Sequence, residues 1–284
     1  MALGSNHMTT DTAANFIPEL WALDVLEAAE SNLVMAKLVT RFDDVAAEGG
    51  DIIHVPRVSN FAAQSKAANT QVSPQSTADD KVGIPLTNHK EVSFLIEDIV
   101  SVQAKSSLRE IYTKKAGYAI AKAIDANLIG LYASLPSFVD AEIIGTDDLI
   151  EAMSRLDGVD APAEDRFLVI CPEAKADIMT LDKFTNRDYM APDDPNTPTQ
   201  TGLLGDIFGC KVYMSNNVVT TTASGVDMEH NLMFQKGAFA LAIQLGPRVQ
   251  ANYVPEYLGT LVTVDVIYGY ALLNGDFAVD IQTY

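Results

Sequence analysis

Histidine, cysteine and positive charge are scarce in this chain, and each shortage removes a class of function. The 284 residues hold four histidines (His7, His54, His89, His230) and two cysteines (Cys171, Cys210). None of the histidines stands at metal-ligand spacing with another histidine or a cysteine. Cys171 has no histidine near it in sequence, so nothing marks it as a nucleophile. Both cysteines border apolar strands, RFLVIC and CKVYM, and read as buried thiols in a reducing compartment. The chain also lacks a GxxxxGK[ST] loop and a GxSxG elbow. No catalytic residue, cofactor or metal is therefore expected. No apolar run approaches the roughly 20 residues of a bilayer span. No basic-then-apolar signal pattern opens the sequence.

Lysine and arginine number 19 against 38 acids, a net charge of −19. The excess is concentrated between Pro136 and His230, where eighteen acids face six bases. This balance disfavours phosphate-backbone binding, which needs basic clusters. It suits solubility through self-repulsion. It equally suits a surface that lies close to DNA without sticking to it.

Two further patterns mimic binding motifs and fail on context. Gly202, Gly205 and Gly209 in TGLLGDIFGC follow a proline-rich loop and precede a strand. A nucleotide fingerprint needs strand, glycines, then helix, so these glycines read as turns. Asp188, Asp193 and Asp194 lie in NRDYMAPDDPNTPTQT. Their spacing fits no EF-hand loop, and the prolines make the segment a stiff surface loop.

What is present is regular patterning. The apolar fraction of 48% excludes global disorder, and the length suffices for one large domain or two modest ones. Gly50–Val58 and Val82–Ile96 read as strands. Between them lie 23 residues, Ser59–Lys81, of which sixteen are Ser, Thr, Asn, Gln or Ala. Only Phe61 and Val72 there are large and apolar. So long a loop without its own core is uncommon in a compact domain. A two-stranded arm with little to bury in its own chain finds its partner on another chain.

Phe16–Thr40 reads as helical, with Pro18 suited to a first turn. Glu97–Ser134 is the longest helical signal. Leu108, Ile111, Tyr112, Ala116, Ala119, Ala123, Ile124, Leu128 and Leu131 form its apolar stripe. Lys105, Arg109, Lys114, Lys122 and Asp125 are assigned to the opposite face. Thirty such residues reach about 45 Å. Thr146 is the expected cap of a helix whose first turn holds Asp147 and Asp148. Arg166–Cys171 reads as a short buried strand, Pro172–Phe184 as a helix and Cys210–Met214 as a strand. The last quarter is rich in strands: Ala238–Gln244, Arg248–Val254, Leu261–Leu273 and Phe277–Ile281.

This order of parts resembles the major capsid proteins of tailed phages with the Hong Kong 97 fold. The resemblance runs from about Phe16 to Tyr284. FIPELWALDVLEAAESNLVMAKLVTRF resembles the family's N-terminal arm. GGDIIHVPRV, the polar loop and IPLTNHKEVSFLI resemble its extended loop, and Asp98–Ser134 its spine helix. RFLVICPEAKADIMTLDKF and GLLGDIFGCKVYMSNNV resemble segments of its axial domain. LVTVDVIYGYALLNGDFAVDI resembles the strands that return to its peripheral domain.

The resemblance implies an α+β chain divided into an arm (1–49), an extended β-hairpin loop (50–97) and a spine helix of the peripheral domain (98–140). The axial domain (141–253) and C-terminal strands returning to the peripheral domain (254–284) complete it. It implies a non-enzymatic shell subunit that forms pentamers and hexamers in a virion around double-stranded DNA, assembled in the host cytoplasm. Its expected partners are copies of itself, with portal, scaffolding or decoration proteins, DNA bound without sequence specificity, and no membrane. Trp21, Arg57, Phe61, Lys66, Val72, Lys81 and Lys90 are the candidate intersubunit residues. The alternatives are an encapsulin-like compartment shell, which shares the fold, and a soluble α+β enzyme.

Overall fold

In the computed structural model, residues 34–58, 63–72, 74, 79–98, 108–181, 205–223 and 225–284 are described. They belong to one unit of the chain, Ser31–Tyr284. In order they form helix α1 (Met35–Leu38), strand β1 (Thr40–Arg41), helix α2 (Asp43–Ala47), and strands β2 (Ile52–Val58), β3 (Asp79–Pro85) and β4 (Asn88–Glu97). Helix α3 (Leu108–Ile129), strand β5 (Phe138–Ala141), helix α4 (Thr146–Gly158), strand β6 (Arg166–Ile170) and helix α5 (Pro172–Thr180) follow. The rest is strand: β7 (Asp206–Ile207), β8 (Cys210–Met214), β9 (Thr220–Ala223), β10 (Val226–Gln235), β11 (Phe239–Val254), β12 (Gly259–Leu272) and β13 (Ala278–Thr283). The chain is α+β, mostly sheet with few helices.

The described strands make three sheets. One has the order β1-β11-β12-β4, and its centre is a long antiparallel ribbon from Phe239↔Leu272 to Val254↔Gly259. A seven-stranded sheet has the order β5-β13-β10-β6-β8-β7, with β9 paired to β10. The third is the hairpin β2-β3.

The chain passes from the seven-stranded to the four-stranded sheet at Lys236–Ala238 and returns through the turn Gly275–Phe277. Ala238 O ties the two passages together, accepting from Leu273 N at 2.8 Å and Asn274 N at 3.2 Å.

Helix α3 buries Ala116, Ile120, Ile124 and Leu128. Their spacing of four makes one stripe. It packs in a core with Val264, Val266 and Tyr268 of β12 and with Phe167 and Phe234 of the seven-stranded sheet. Each fully buried Ile or Leu contributes about 1.5–3 kcal/mol. A second core lies between the seven-stranded sheet and α4 and α5, where Leu149, Leu156, Ala174 and Ile178 meet Leu168, Ile170 and Ile281. All five residues of β6 are buried, because both faces of that strand are covered.

Several expectations are corrected. The C-terminal strands do not stay together. β12 pairs with β4 and β11, whereas β13 is inserted between β5 and β10. Ala278, Val279, Asp280 and Ile281 are all buried, so β13 needs cover on both faces, and the turn at Gly275–Phe277 delivers it there. β11 likewise leaves the seven-stranded sheet and lies in the four-stranded one, between β1 and β12. It is one strand rather than two, because register shifts between Ile243 and Arg248 absorb the Gly246–Pro247 break.

Val82–Ile96 is two strands. Leu86 N turns to Asp51 O at 2.8 Å and breaks the run. Gly145, not Thr146, precedes the first turn of α4, and Asp148 Oδ2 accepts from its N–H at 2.9 Å. Within Phe16–Thr40 the described helix is only Met35–Leu38; the earlier part lies outside the described residues. On α3, Tyr112 and Ala119 are exposed and Ile120 takes a core place. Asp125 is buried, 1% exposed, because it accepts from Met35 N and Asn217 Nδ2.

Candidate assembly surface

Among its described residues, the β2-β3 hairpin is anchored at its base. Ile53 pairs with Ile84, and both pack with Leu86, Ala46, Ala240 and Ala242. Beyond that base the side chains leave the core. Arg57 stands opposite Asp80 in the register, and Pro56 opposite Lys81. Arg57, Asp80 and Lys81 are exposed. At the tip, residues 63–72 are all exposed, Val72 to 67%. A turn forms there with Thr70 Oγ1 donating to Ala67 O at 2.7 Å and Asn69 in the left-handed region at φ 65°. Asparagine tolerates that conformation better than most residues.

Four candidate assembly residues, Arg57, Lys66, Val72 and Lys81, thus share this arm. Lys90 lies apart and exposed on β4, opposite Val266 and at an outer edge of the four-stranded sheet. Trp21 and Phe61 lie outside the described residues.

Sequence reasoning missed a second exposed surface at the far end of the β11-β12 ribbon. Val249, Tyr253, Tyr257 and Leu258 are exposed there. The alternation of these strands was legible. That α3 covers β12 but leaves this end of β11 open was not.

The ribbon is pinned at its register shift. Arg248 Nε and Nη2 donate to the two Asp265 oxygens at 2.8 and 2.9 Å, and His89 Nε2 lies 3.1 Å from Asp265 Oδ2. The Arg248 guanidinium, helped by His89, holds the Asp265 carboxyl below the usual carboxylate range. Tyr253 donates its hydroxyl proton to Asp98 Oδ2 at 2.9 Å, and this bond raises the phenol above its ordinary value.

A cleft of about 460 Å³ lies elsewhere, lined by Glu142, Glu173, Asp177, Asp227 and Glu229 among others. Beside it the Cys171 thiol donates to Glu229. Burial and that carboxylate push the thiol up to about 12, so at neutral pH it is not a thiolate nucleophile. Burial, then Glu173, raises the Asp177 carboxyl. The cleft repels anions and gathers no nucleophile–base pair. Among the described residues, no three His, Cys, Asp or Glu side chains are placed to hold a metal ion. No described helix is long and apolar enough to cross a membrane.

No family model matches the sequence, and no curated protein matches it significantly. Solved structures do. A chain of Mycobacterium phage Che8 matches with TM-score 0.80 at 25% identity, covering 94% of this chain and 97% of that one. A chain from the capsid structure of the cyanophage P-SCSP1u matches with TM-score 0.77 at 17% identity, covering 99% and 97%. One from the mature capsid of bacteriophage PhiM1 matches with TM-score 0.73 at 12% identity, covering 93% and 91%. The chain has the fold of a phage capsid protein. In this capsid-type chain the two exposed features, hairpin arm and ribbon end, both belong to the described part of a fold that is matched over nearly its whole length.

Proposed function

We propose that this chain is the major capsid protein of a tailed phage. It assembles as pentamers and hexamers into an icosahedral shell that encloses double-stranded DNA. The observation that carries this reading is the match over 93–99% of the chain to three phage chains, two of them from capsids. In this reading β2-β3 is the extended loop of the Hong Kong 97 fold and α3 is its spine helix. The four-stranded sheet belongs to the peripheral domain and the seven-stranded sheet, β13 included, to the axial domain.

Arg57, Lys66, Val72 and Lys81 on the arm, with Lys90 on β4 and Trp21 and Phe61, make contacts between subunits. The role is structural and not enzymatic. The chain's partners are copies of itself, with portal, scaffolding or decoration proteins. Packaged DNA is held without sequence-specific contacts, as the net charge of −19 supports. The protein assembles in the host cytoplasm and resides in the virion.

Light scattering and negative-stain microscopy of the purified chain test this reading. Closed particles are expected, built from fivefold and sixfold capsomers. A chain that stays monomeric under every assembly condition would refute it. A shell that encloses an enzyme instead of DNA would move the chain to an encapsulin-like compartment.

A further inference from the structure

The region of α3 carries a charge opposite to that of the chain. Residues 99–124 hold five bases, Lys105, Arg109, Lys114, Lys115 and Lys122, and one acid, Glu110. The rest of the chain has 14 of the 19 bases against 37 of the 38 acids. On the helix between Tyr112 and Ile129, Lys114 and Lys122 are exposed and Lys115 is half-buried, while the acid of that stretch, Asp125, is buried. Its solvent side is therefore positive in a chain of net charge −19. Lys115 and Lys122 stand two turns apart, about 10 Å along the axis, on the side away from Ile120 and Ile124, and Lys114 flanks them. Among the described residues, neither Lys114 nor Lys122 forms an ion pair.

We propose that this lysine row faces the packaged DNA and contacts its phosphates, so that α3 marks the inner side of the subunit in the shell. The proposal rests on the capsid reading and names the face that meets the DNA. The composition of the row favours a phosphate backbone over the surface of another copy. Lysine is depleted in protein interfaces, whose anchors are aromatic residues, methionine and arginine. The lysines' neighbours on this side, Ala119 and Ala126, are small. The nearest rings offer no anchor: Tyr118 is half-buried, and Tyr112 meets Phe94 of β4 with ring centroids 5.6 Å apart.

A lysine ammonium is a point charge that meets a phosphate without reading the bases. Each copy would neutralise up to about three phosphates, a weak contact alone that the shell repeats at every subunit. The acidic excess elsewhere repels the same backbone, so the contact is confined to this face.

Acylation of lysine amines in intact particles, followed by peptide mass spectrometry, tests this. DNA-filled particles are compared with the same particles after DNA release and nuclease digestion. Lys114 and Lys122 should label several-fold more slowly in the filled particles, and Lys66 and Lys81 of the arm alike in both. Added salt should restore the labelling of Lys114 and Lys122 in filled particles, because it competes with a phosphate contact. Equal labelling in filled and emptied particles would overturn the proposal. So would protection that persists after DNA release, which would put another copy on this face, or protection that salt leaves unchanged. A chain that forms no closed particles overturns this face together with the capsid reading, whereas equal labelling in closed particles overturns the face alone.

Discussion

At Gly269 an added β-carbon would lie 2.4 Å from the Pro85 carbonyl oxygen and 2.9 Å from Leu86 Cδ2. The obstacle is backbone at the corner between β3 and β4, and it cannot swing aside as a side chain can. Gly269→Ala is expected to cost about 1–3 kcal/mol, read as a lower Tm, and an unchanged Tm would show that the corner yields freely. Leu128 on α3 is fully buried. Leu128→Ala should cost about 2–5 kcal/mol in denaturant unfolding; a negligible loss would mean that the stripe is not closely packed.

Asp265 makes a pH prediction. Its carboxyl is lowered, first by Arg248. Its contribution is therefore present above the unfolded value of about 3.9 and is lost as pH falls through the folded one. Arg248→Ala should unfold more easily than the wild type at neutral pH, and the gap should close in stronger acid. A gap that is constant with pH would contradict this pairing.

Among the elements, β5 shows how a free sheet edge is managed. Ser137 O accepts from Asp280 N in β13, so by the alternation of the strand the next carbonyl, Phe138 O, looks outward. Arg155 Nη1 covers it at 2.6 Å, and Glu151 Oε1 holds the guanidinium at 2.6 Å from Nη2. Open edges invite pairing with another chain. Arg155→Ala should keep the circular-dichroism spectrum yet make the unassembled subunit associate with rising concentration. A sizing profile like the wild type's would contradict a guarding role.

The elements also show what the sequence made legible. β6 was readable because its apolar run is short and unbroken, and α5 because Pro172 opens it. β10 was not, because Glu229, His230 and Asn231 interrupt its apolar pattern. In the fold, His230 Nδ1 lies 2.8 Å from Asp280 Oδ2, and Asn231 Oδ1 accepts from Cys171 N at 2.8 Å. Polar residues paired with another strand and with a helix cap look like a loop until their partners are known. Asp125 misled the reading of α3 for the same reason, since its partners lie about ninety residues away on either side.

On the scale of the whole molecule, the order of arm, helix and strands was readable, and the destination of the last strands was not. β12 and β13 are both apolar and adjacent in sequence. What separates them is the turn at Gly275–Phe277 and the need of β13 for cover on both faces. The candidate assembly surface was partly legible. A 23-residue polar stretch between strands marks an arm, but periodicity cannot tell that the end of the β11-β12 ribbon is bare.

In the proposed shell the body folds by itself and the arm joins it to other copies. The described tip residues 63–72 are exposed, and none of them belongs to the three cores. Loop shortening changes closure entropy only slowly with length, whereas a lost intersubunit contact recurs at every copy of a symmetric assembly. The direct measurement is electron microscopy of the wild-type chain beside one lacking about Gln64–Asp79, with melting of both recorded unassembled. Closed wild-type particles, near-equal melting, and only capsomers, monomers or aberrant assemblies from the deleted chain are expected. Normal closed shells from the deleted chain, or none from the wild type, would contradict this expectation.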